Sequence, residues 1–397
     1  MKDKTISIIG ERCCGCTACE QKCPKNAIVF QSSSEGFLYP RIDENKCTNC
    51  GLCLNICPIN APIRKEKDEQ VGYAAWVKDE KVLFRSASGG IFYPIAEMII
   101  QQNGYVCGCI NDEQCLPVHI MSNNLEDVLK MQGSKYVESY LGGIFSQVKE
   151  KLEQGVQVLF TGTPCQIAGL KKYLGKSYEE LICIDLICHG VPSRLLFSEY
   201  LKWQEKRYGG KVVEYHFRSK KKHDWSLTYK MKIAKKSKFK VVEHMASLDP
   251  YYYGFLQGMT YRESCYHCPY SCLERVGDIT IGDFWGIENL DSTLYNSHGV
   301  SAVIINTDKG KVFFEKINNI LAYQEVLVAD IQKHNGNLNN PTKRPEKRSI
   351  IYSSLSEDGF NSMAKRELRH NRYFIEWLKD CIPNKIRQKI KNIIKGR

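Results

Sequence analysis

Two runs of cysteine carry the clearest chemistry in this 397-residue chain. Cys13-x2-Cys16-x2-Cys19-x3-Cys23-Pro24 recurs 34 positions later as Cys47-x2-Cys50-x2-Cys53-x3-Cys57-Pro58. Three thiolates spaced by two residues wrap one corner of a 4Fe-4S cubane, and the fourth Cys of such a run ligates the other cluster. Cys13, Cys16, Cys19 and Cys57 are therefore expected to hold one cluster. Cys47, Cys50, Cys53 and Cys23 are expected to hold the second. Gly15 and Gly51 let the backbone pass close to the sulfides, and Pro24 and Pro58 end the turns. CxxC pairs also serve zinc, but two matching four-cysteine runs closed by proline favour iron and sulfide. Cys14 is left over and reads as a non-ligand.

Five more thiols stand apart. Cys165 and Cys188 each sit where a strand gives way to a helix, and Cys265-x2-Cys268-x3-Cys272 lies in a loop. Four of the five could converge on a third cluster. Three other readings stay open. Cys165, next to Pro164 at a helix start, could be a redox nucleophile of lowered pKa. Cys265, Cys268 and Cys272 could bind zinc with His267 or His189, or all five could be inert. Cys107, Cys109 and Cys183, in apolar strands, read as small hydrophobes, as do Cys115 and Cys381, which have no partner in view.

The 19 cysteines, nearly half of them before residue 60, would suggest disulfides in a secreted protein. The start MKDKTISIIGERCC has no long apolar segment or cleavage site, and no run of about 18 apolar residues occurs. The expected location is cytoplasmic, with thiols serving as metal ligands. The formal charge of +12 is offset in part by clusters that each carry about −2 with their thiolates. No nucleic-acid motif accompanies it, so no nucleic-acid partner is expected.

These residues need elements to position them. Residues 1–62 read as an α+β ferredoxin-like module, 63–70 as a charged linker, and 71–150 and 151–306 as two parts of an α/β core with a parallel or mixed sheet. Residues 307–397 read as a helical, basic extension. Within the core, Gly72 to Phe84 suggests paired strands, and Ile91 to Gln102 a helix stopped by Asn103-Gly104. Two strand–loop–helix units follow, Val156–Phe160 with a helix through Leu174, and Leu181–Ile187 with a helix through about Arg207. They predict adjacent parallel strands. Residues 211–245 read as an antiparallel insertion, and 277–306 return to strands. Lys220 to Lys222 and Lys235 to Lys240 read as solvated charge or as an attraction for an acidic partner. The basic helix Lys385 to Lys395, with Ile386, Ile390, Ile393 and Ile394 on one stripe, could touch a membrane surface.

Residues 11–60 resemble bacterial-type ferredoxins. Six further segments occur in order: Ser86-Ala-Ser-Gly-Gly-Ile91, Gly133-Ser-Lys-Tyr-Val137, Phe160-Thr-Gly-Thr-Pro-Cys-Gln-Ile-Ala-Gly169, Leu186-Ile-Cys-His-Gly-Val-Pro192, Ser264-Cys-Tyr-His-Cys268 and Asp278-Ile-Thr-Ile-Gly-Asp-Phe-Trp-Gly286. Phe217-Arg-Ser-Lys220 and Trp225 accompany them. Together they resemble the beta subunits of coenzyme F-420 hydrogenase and dehydrogenase, including forms with a fused N-terminal ferredoxin.

The resemblance implies an oxidoreductase with FAD and a 4Fe-4S cluster on an α/β core, moving hydride to or from a deazaflavin. A relative acts on a chlorophyll derivative, so the substrate is coenzyme F-420 or another small molecule. By position, Cys165, Cys188, Cys265 and Cys268 match the cluster cysteines, while Cys272 departs from the pattern. A redox partner protein is expected at the ferredoxin module. For the flavin, Ser88, Gly89 and Gly90 precede a helix and can face an anion. Ser134 and Lys135 offer a hydroxyl and a cation, and Thr161, Gly162 and Thr163 lie at a strand end. His189 is the candidate to protonate the flavin or tune the cluster, and Asp283 to bind a ribityl or ribose hydroxyl or cap its turn.

Overall fold

Both cysteine runs turn back sharply after their second cysteine, and the backbone there adopts left-handed angles. Thr17 (φ 59°) starts the helix Ala18–Lys22, and Gly51 (φ 78°) starts the helix Leu52–Asn55. Between the two runs lies an antiparallel hairpin of Ile28–Ser32 (β1) and Leu38–Ile42 (β2). A computed structural model describes residues 4–63, 69–222, 224–236, 238–382 and Ile386. Most of the expected linker and the helix Lys385 to Lys395 lie outside the described residues.

The core strands are Val71–Val77 (β3), Tyr105–Asn111 (β4), Pro117–Ser122 (β5), Val158–Gly162 (β6) and Leu181–Leu186 (β7). Lys211–His216 (β8), Thr228–Lys235 (β9) and Lys238–Met245 (β10) form a separate antiparallel sheet, as the insertion predicts. Ile279–Asp283 (β11), Ser301–Ile305 (β12) and Leu321–Val326 (β13) return to the main sheet. Its eight strands run in the order β13-β3-β12-β11-β7-β6-β4-β5. The neighbours β4, β6, β7 and β11 are parallel, and the flanking pairs are antiparallel. Gly162 stands opposite Asp185 in the β6–β7 register, so the exits of these strands lie side by side. Apolar strands such as β6 and β7, buried nearly throughout, suit a sheet covered on both faces.

Three expectations are corrected. Gly72 to Phe84 is not a strand pair. Asp79 accepts hydrogen bonds from the backbone N–H groups of Lys81 and Val82 at 2.7 and 3.1 Å, which starts the helix Glu80–Arg85. The partners of β3 are the distant β12 and β13. Consequently the sheet extends through Val326, into residues read as an extension. Lys220 is neither a solvated nor a steering charge. It is 4% exposed, and its ammonium donates to the carbonyls of Leu83 and Ser88 at 2.7 and 2.8 Å. Among the described residues, no helix is long and apolar enough to cross a membrane.

Candidate functional site

The carboxyl edge of a parallel sheet is where open α/β folds leave a crevice. Here that edge borders a cavity of about 320 Å3, within the range of about 300–1,000 Å3 that ligand sites occupy. Cys165, just past β6, and Cys188, just past β7, line it together with Cys265 and Cys268. Cys188, Cys265 and Cys268 each feel the charge of Cys165. Burial pushes Cys188 up to about 12 and Cys268 up to about 11. Cys165 is raised first by its hydrogen bond with Cys14 and then by burial, so it is not a thiol of lowered pKa. Thiols this hard to ionise become thiolates when a metal takes the proton's place. The zinc alternatives fail on position. His267 is exposed and outside the cavity, and the Cys272 thiol turns to its own loop, toward the Pro269 carbonyl at 3.5 Å. Among the described residues, no three Cys, His, Asp or Glu side chains converge tightly enough for a single metal ion.

Most of the other candidates reach this cavity, several with their polar groups already engaged. Ser88, Gly90, Ser134, Lys135, Thr161, Gly162, Thr163, His189 and Asp283 line it. Gly89 does not, because its N–H donates to Ser301 Oγ at 2.9 Å instead of meeting an anion. The Ser88 hydroxyl donates to the Val300 carbonyl at 2.8 Å. Lys135 Nζ donates to the carbonyls of Lys130, Met131 and Gln132 at 2.9–3.0 Å, closing the helix Leu125–Met131. Burial pushes Lys135 down to about 8. Asp283 does not offer a free carboxylate to a sugar hydroxyl. Arg218 donates to its two oxygens at 2.6 and 3.2 Å, and Trp225 Nε1 donates at 2.8 Å. The buried Arg218 guanidinium needs that counter-charge. His189 is exposed within the cavity; desolvation lowers its pKa, and Asp283 pulls the other way.

Gly89 also explains how the Ser88–Gly90 segment reaches the sheet. A Cβ there would lie 2.2 Å from the Ala75 carbonyl and 2.7 Å from the Ser301 nitrogen, both backbone atoms of paired strands. Gly89→Ala should cost about 3 kcal/mol or more, measured as a lower urea midpoint. An unchanged midpoint would mean that the segment does not depend on this approach.

A relay of hydrogen bonds that the sequence did not suggest lines the same wall. His119 Nε2 meets the Thr161 carbonyl at 3.2 Å, and His119 Nδ1 meets Ser139 Oγ at 3.0 Å. The Gln166 amide donates to Ser139 Oγ at 2.9 Å and accepts from the Thr163 N–H at 2.9 Å. A carbonyl can only accept, so Nε2 carries the proton and Nδ1 accepts from Ser139. Burial pushes His119 down to about 4, which keeps this neutral form. His119, alone on an alternating strand, gives no local signal.

The N-terminal module closes the cavity from the other side. Cys14 and Gly15 line it, and the Cys14 thiol hydrogen-bonds both Cys16 and Cys165. One face of the helix Pro164–Leu174 carries Cys165 and, one turn on, Gly169, where a Cβ would lie 2.9 Å from Cys16 Sγ. Cys14 is thus more than spare: it joins the two cysteine groups. Arg262, 0% exposed, donates to the Cys13 carbonyl at 2.5 Å and the Leu38 carbonyl at 2.7 Å and pairs with Glu138. Tyr270 donates to the Pro58 carbonyl at 2.7 Å. Cys13, Cys16, Cys19 and Cys57 are buried, and Cys13 acts electrostatically on the other three. Cys23, Cys47, Cys50 and Cys53 surround a separate small cavity, and Cys50 is exposed.

Comparison with known proteins agrees with this division. Residues 12–61 match the family model for a 4Fe-4S dicluster domain. Residues 155–327 match the model for the C terminus of the coenzyme F420 hydrogenase/dehydrogenase beta subunit. Residues 155–327 are thus similar to that C-terminal domain and follow a segment similar to a dicluster domain. Within the family match lie Cys165, Cys188, Cys265 and Cys268, whereas Ser88–Gly90 and Ser134–Lys135 precede it. A coenzyme F420-dependent sulfite reductase of Methanocaldococcus jannaschii is 27% identical over 204 residues. The alignment covers 48% of this chain and only 29% of that relative. A chain in the F420-reducing [NiFe] hydrogenase complex of Methanosarcina barkeri aligns with a TM-score of 0.44 at 16% identity, over 79% of this chain and 98% of that one.

Proposed function

We propose that this protein is an iron–sulfur flavoprotein oxidoreductase that links a redox partner protein to a small-molecule substrate, with coenzyme F-420 the family-level candidate. One observation carries the reading: four core cysteines line the cavity, with the loop Cys14-Gly15 of the N-terminal module beside them. Three cysteine groups then form a series from solvent to cavity. Cys23, Cys47, Cys50 and Cys53 hold the outer cluster, which the exposed Cys50 makes the docking end for the partner. Cys13, Cys16, Cys19 and Cys57 hold the inner one, and Cys165, Cys188, Cys265 and Cys268 the core one. Four thiols drawn from three stretches of chain suit a cubane more than a single tetrahedral ion. Zn–S bonds of about 2.3 Å would draw all four together, whereas a cubane offers each its own iron corner.

FAD exchanges both single electrons and hydride, and so supplies the step between clusters and an organic substrate. The chain's own residues prepare the cavity for it. The relay from Thr163 to Thr161 through Gln166, Ser139 and His119 fixes the wall and leaves no buried charge there. Gly90, Ser134 and Gly162 let backbone and hydroxyl groups approach a ligand, while Lys135 stiffens the loop that carries Ser134. Beside Cys188, the neutral His189 can hold a hydrogen bond to a flavin or to a ligating sulfur.

Anaerobic purification followed by iron, sulfide and flavin analysis tests the reading. About twelve iron per chain with one FAD is expected. About eight iron without flavin would replace it with a pure electron-transfer protein. A spectral assay for oxidation of reduced deazaflavin then tests the substrate, and no reaction with fully loaded protein would remove coenzyme F-420.

A further inference from the structure

The interface between the dicluster module and the core contains two buried arginines, Arg348, which pairs with Glu35, and Arg262, which stands beside a cluster cysteine and whose position no sequence motif explains. Arg262 is wholly buried. Its backbone N–H donates to the Val191 carbonyl at 2.9 Å, three residues past Cys188, and its own carbonyl accepts from the Cys265 N–H at 2.9 Å. The arginine is therefore built into both loops that carry core cysteines. Its guanidinium reaches the opposite way, to the Cys13 and Leu38 carbonyls, and lies 4.2 Å from the centroid of the Tyr39 ring. Glu138 is its partner, and the second Glu138 oxygen accepts from the Leu38 N–H at 3.4 Å. The Glu138 N–H in turn donates to the Pro192 carbonyl at 2.9 Å. Gly15 leaves the room for this pair: a Cβ there would lie 2.9 Å from Glu138 Oε1 and 3.1 Å from Arg262 Nη1.

We propose that Arg262 and Glu138 form an electrostatic coupler that sets the reduction potential of the inner dicluster centre, the one expected on Cys13, Cys16, Cys19 and Cys57. Arg262 is a positioning residue in this scheme and ligates nothing. Each electron added to a cluster adds a negative charge, and net charge and hydrogen bonding set cluster potentials. A desolvated cation beside Cys13 favours the reduced cluster, and the Glu138 carboxylate subtracts from that effect. Burial from water strengthens both contributions. The outer centre lies across the module from Arg262, among residues Cys23, Cys47, Cys50 and Cys53, and serves as the internal control. The inference rests on the cluster assignment above, but it needs only the dicluster pair and not the core cluster or FAD.

The test is redox-poised electron paramagnetic resonance of the full chain carrying Arg262→Lys, Arg262→Gln or Glu138→Gln, with iron counted in each. Arg262→Gln should lower the reduced fraction of the inner centre at least tenfold at fixed potential, about 59 mV for a one-electron couple. Arg262→Lys keeps the charge but loses the fork, and should stay within threefold of the parent. Glu138→Gln should raise the reduced fraction. The outer centre should move less than threefold in every variant. A merely structural role would disturb the inner centre alike in Arg262→Lys and Arg262→Gln, or in one direction in Arg262→Gln and Glu138→Gln, and either result overturns the proposal. If Arg262→Gln does not fold, a tenfold shift in Arg262→Lys overturns it alone. An iron count of about eight with these shifts intact would reject the core cluster while leaving the coupler standing.

Discussion

Cys188→Ala should lose about four of roughly twelve iron atoms per chain and leave the N-terminal pair intact. The thiol emerges at the end of β7, beside the exit of β6 that leads to Cys165, and lines the cavity with Cys265 and Cys268. These four come from three separate stretches of chain. Removing one leaves an iron corner without its thiolate. His189 is the adjacent ring, but its backbone carbonyl is tied to Thr342 Oγ1 at 3.1 Å. Gly190, at φ 142°, lies so close to the Tyr261 ring that a Cβ would come within 2.4 Å. The loop therefore has little freedom to swing a substitute into place. None of the eight N-terminal thiols lines this cavity, and they lose no ligand. Two controls separate ligation from general damage. Cys272→Ala should keep all the iron, because that thiol faces its own loop. Cys14→Ala should also keep it, because its four neighbours remain. Unchanged iron in Cys188→Ala would show that Cys188 is not a ligand, and equal loss in Cys272→Ala would move the fourth ligand there. In Cys188→Ala, chemical reduction of the N-terminal clusters should persist, while their reduction from the substrate side should stop.

Legibility in the sequence followed the range of the interactions. The cysteine runs are local: a spacing of two residues already defines a turn that can wrap a cubane, and 34 residues separate two copies of it. The pairs β6 and β7, each with its loop and helix, were equally readable, because a buried parallel strand is a short apolar run that ends at a helix cap. Their juxtaposition follows from the parallel arrangement, and so the meeting of Cys165 with Cys188 was expected. The rest depends on contacts that no local pattern encodes. Glu138 and Arg262 are 124 residues apart, and each looks like an ordinary surface charge in its own segment. His119 becomes a wall residue only because β5 sits at the edge of the sheet, next to β4. The lysine run misled because charge patterns assume solvent. Lys220 instead reaches under Leu83 and Ser88, where burial and the nearby Arg218 push its pKa down to about 7. Strand β13 was missed for the same reason: its half-exposed sequence offers no strong alternation, and its place is decided by β3, nearly 250 residues earlier.

Arg275→Met should cost about 3–5 kcal/mol, the largest stability loss expected of a single change in the core. Asp185 and Arg275 are 0% and 1% exposed at their side chains, and they pair at 2.9 Å. Asp185 also accepts from Thr280 Oγ1 at 2.6 Å and from the Gly277 N–H at 2.8 Å. Arg275 donates to the carbonyls of Tyr270 and Leu186, both at 2.9 Å. It therefore ties the loop after Cys268 to the end of β7, the strand that delivers Cys188. Losing the arginine leaves a buried carboxylate with two hydrogen bonds and no counter-charge, and also releases the carbonyls of Tyr270, Cys272 and Leu186 from their donor. The cost should appear as a lower urea midpoint of the holo protein. Pairing it with Asp185→Asn tests the cause. The double variant no longer buries an uncompensated charge, so it should recover much of the loss. If the double variant is as unstable as the sum of the singles, the tie to Tyr270 and Leu186 carries the stability, and the ion pair contributes little. The iron count then reports what the brace does for the site. A loosened loop should lower the iron held at Cys268 and its three partners, while the dicluster pair, fixed through Arg262 and Tyr270, keeps its iron.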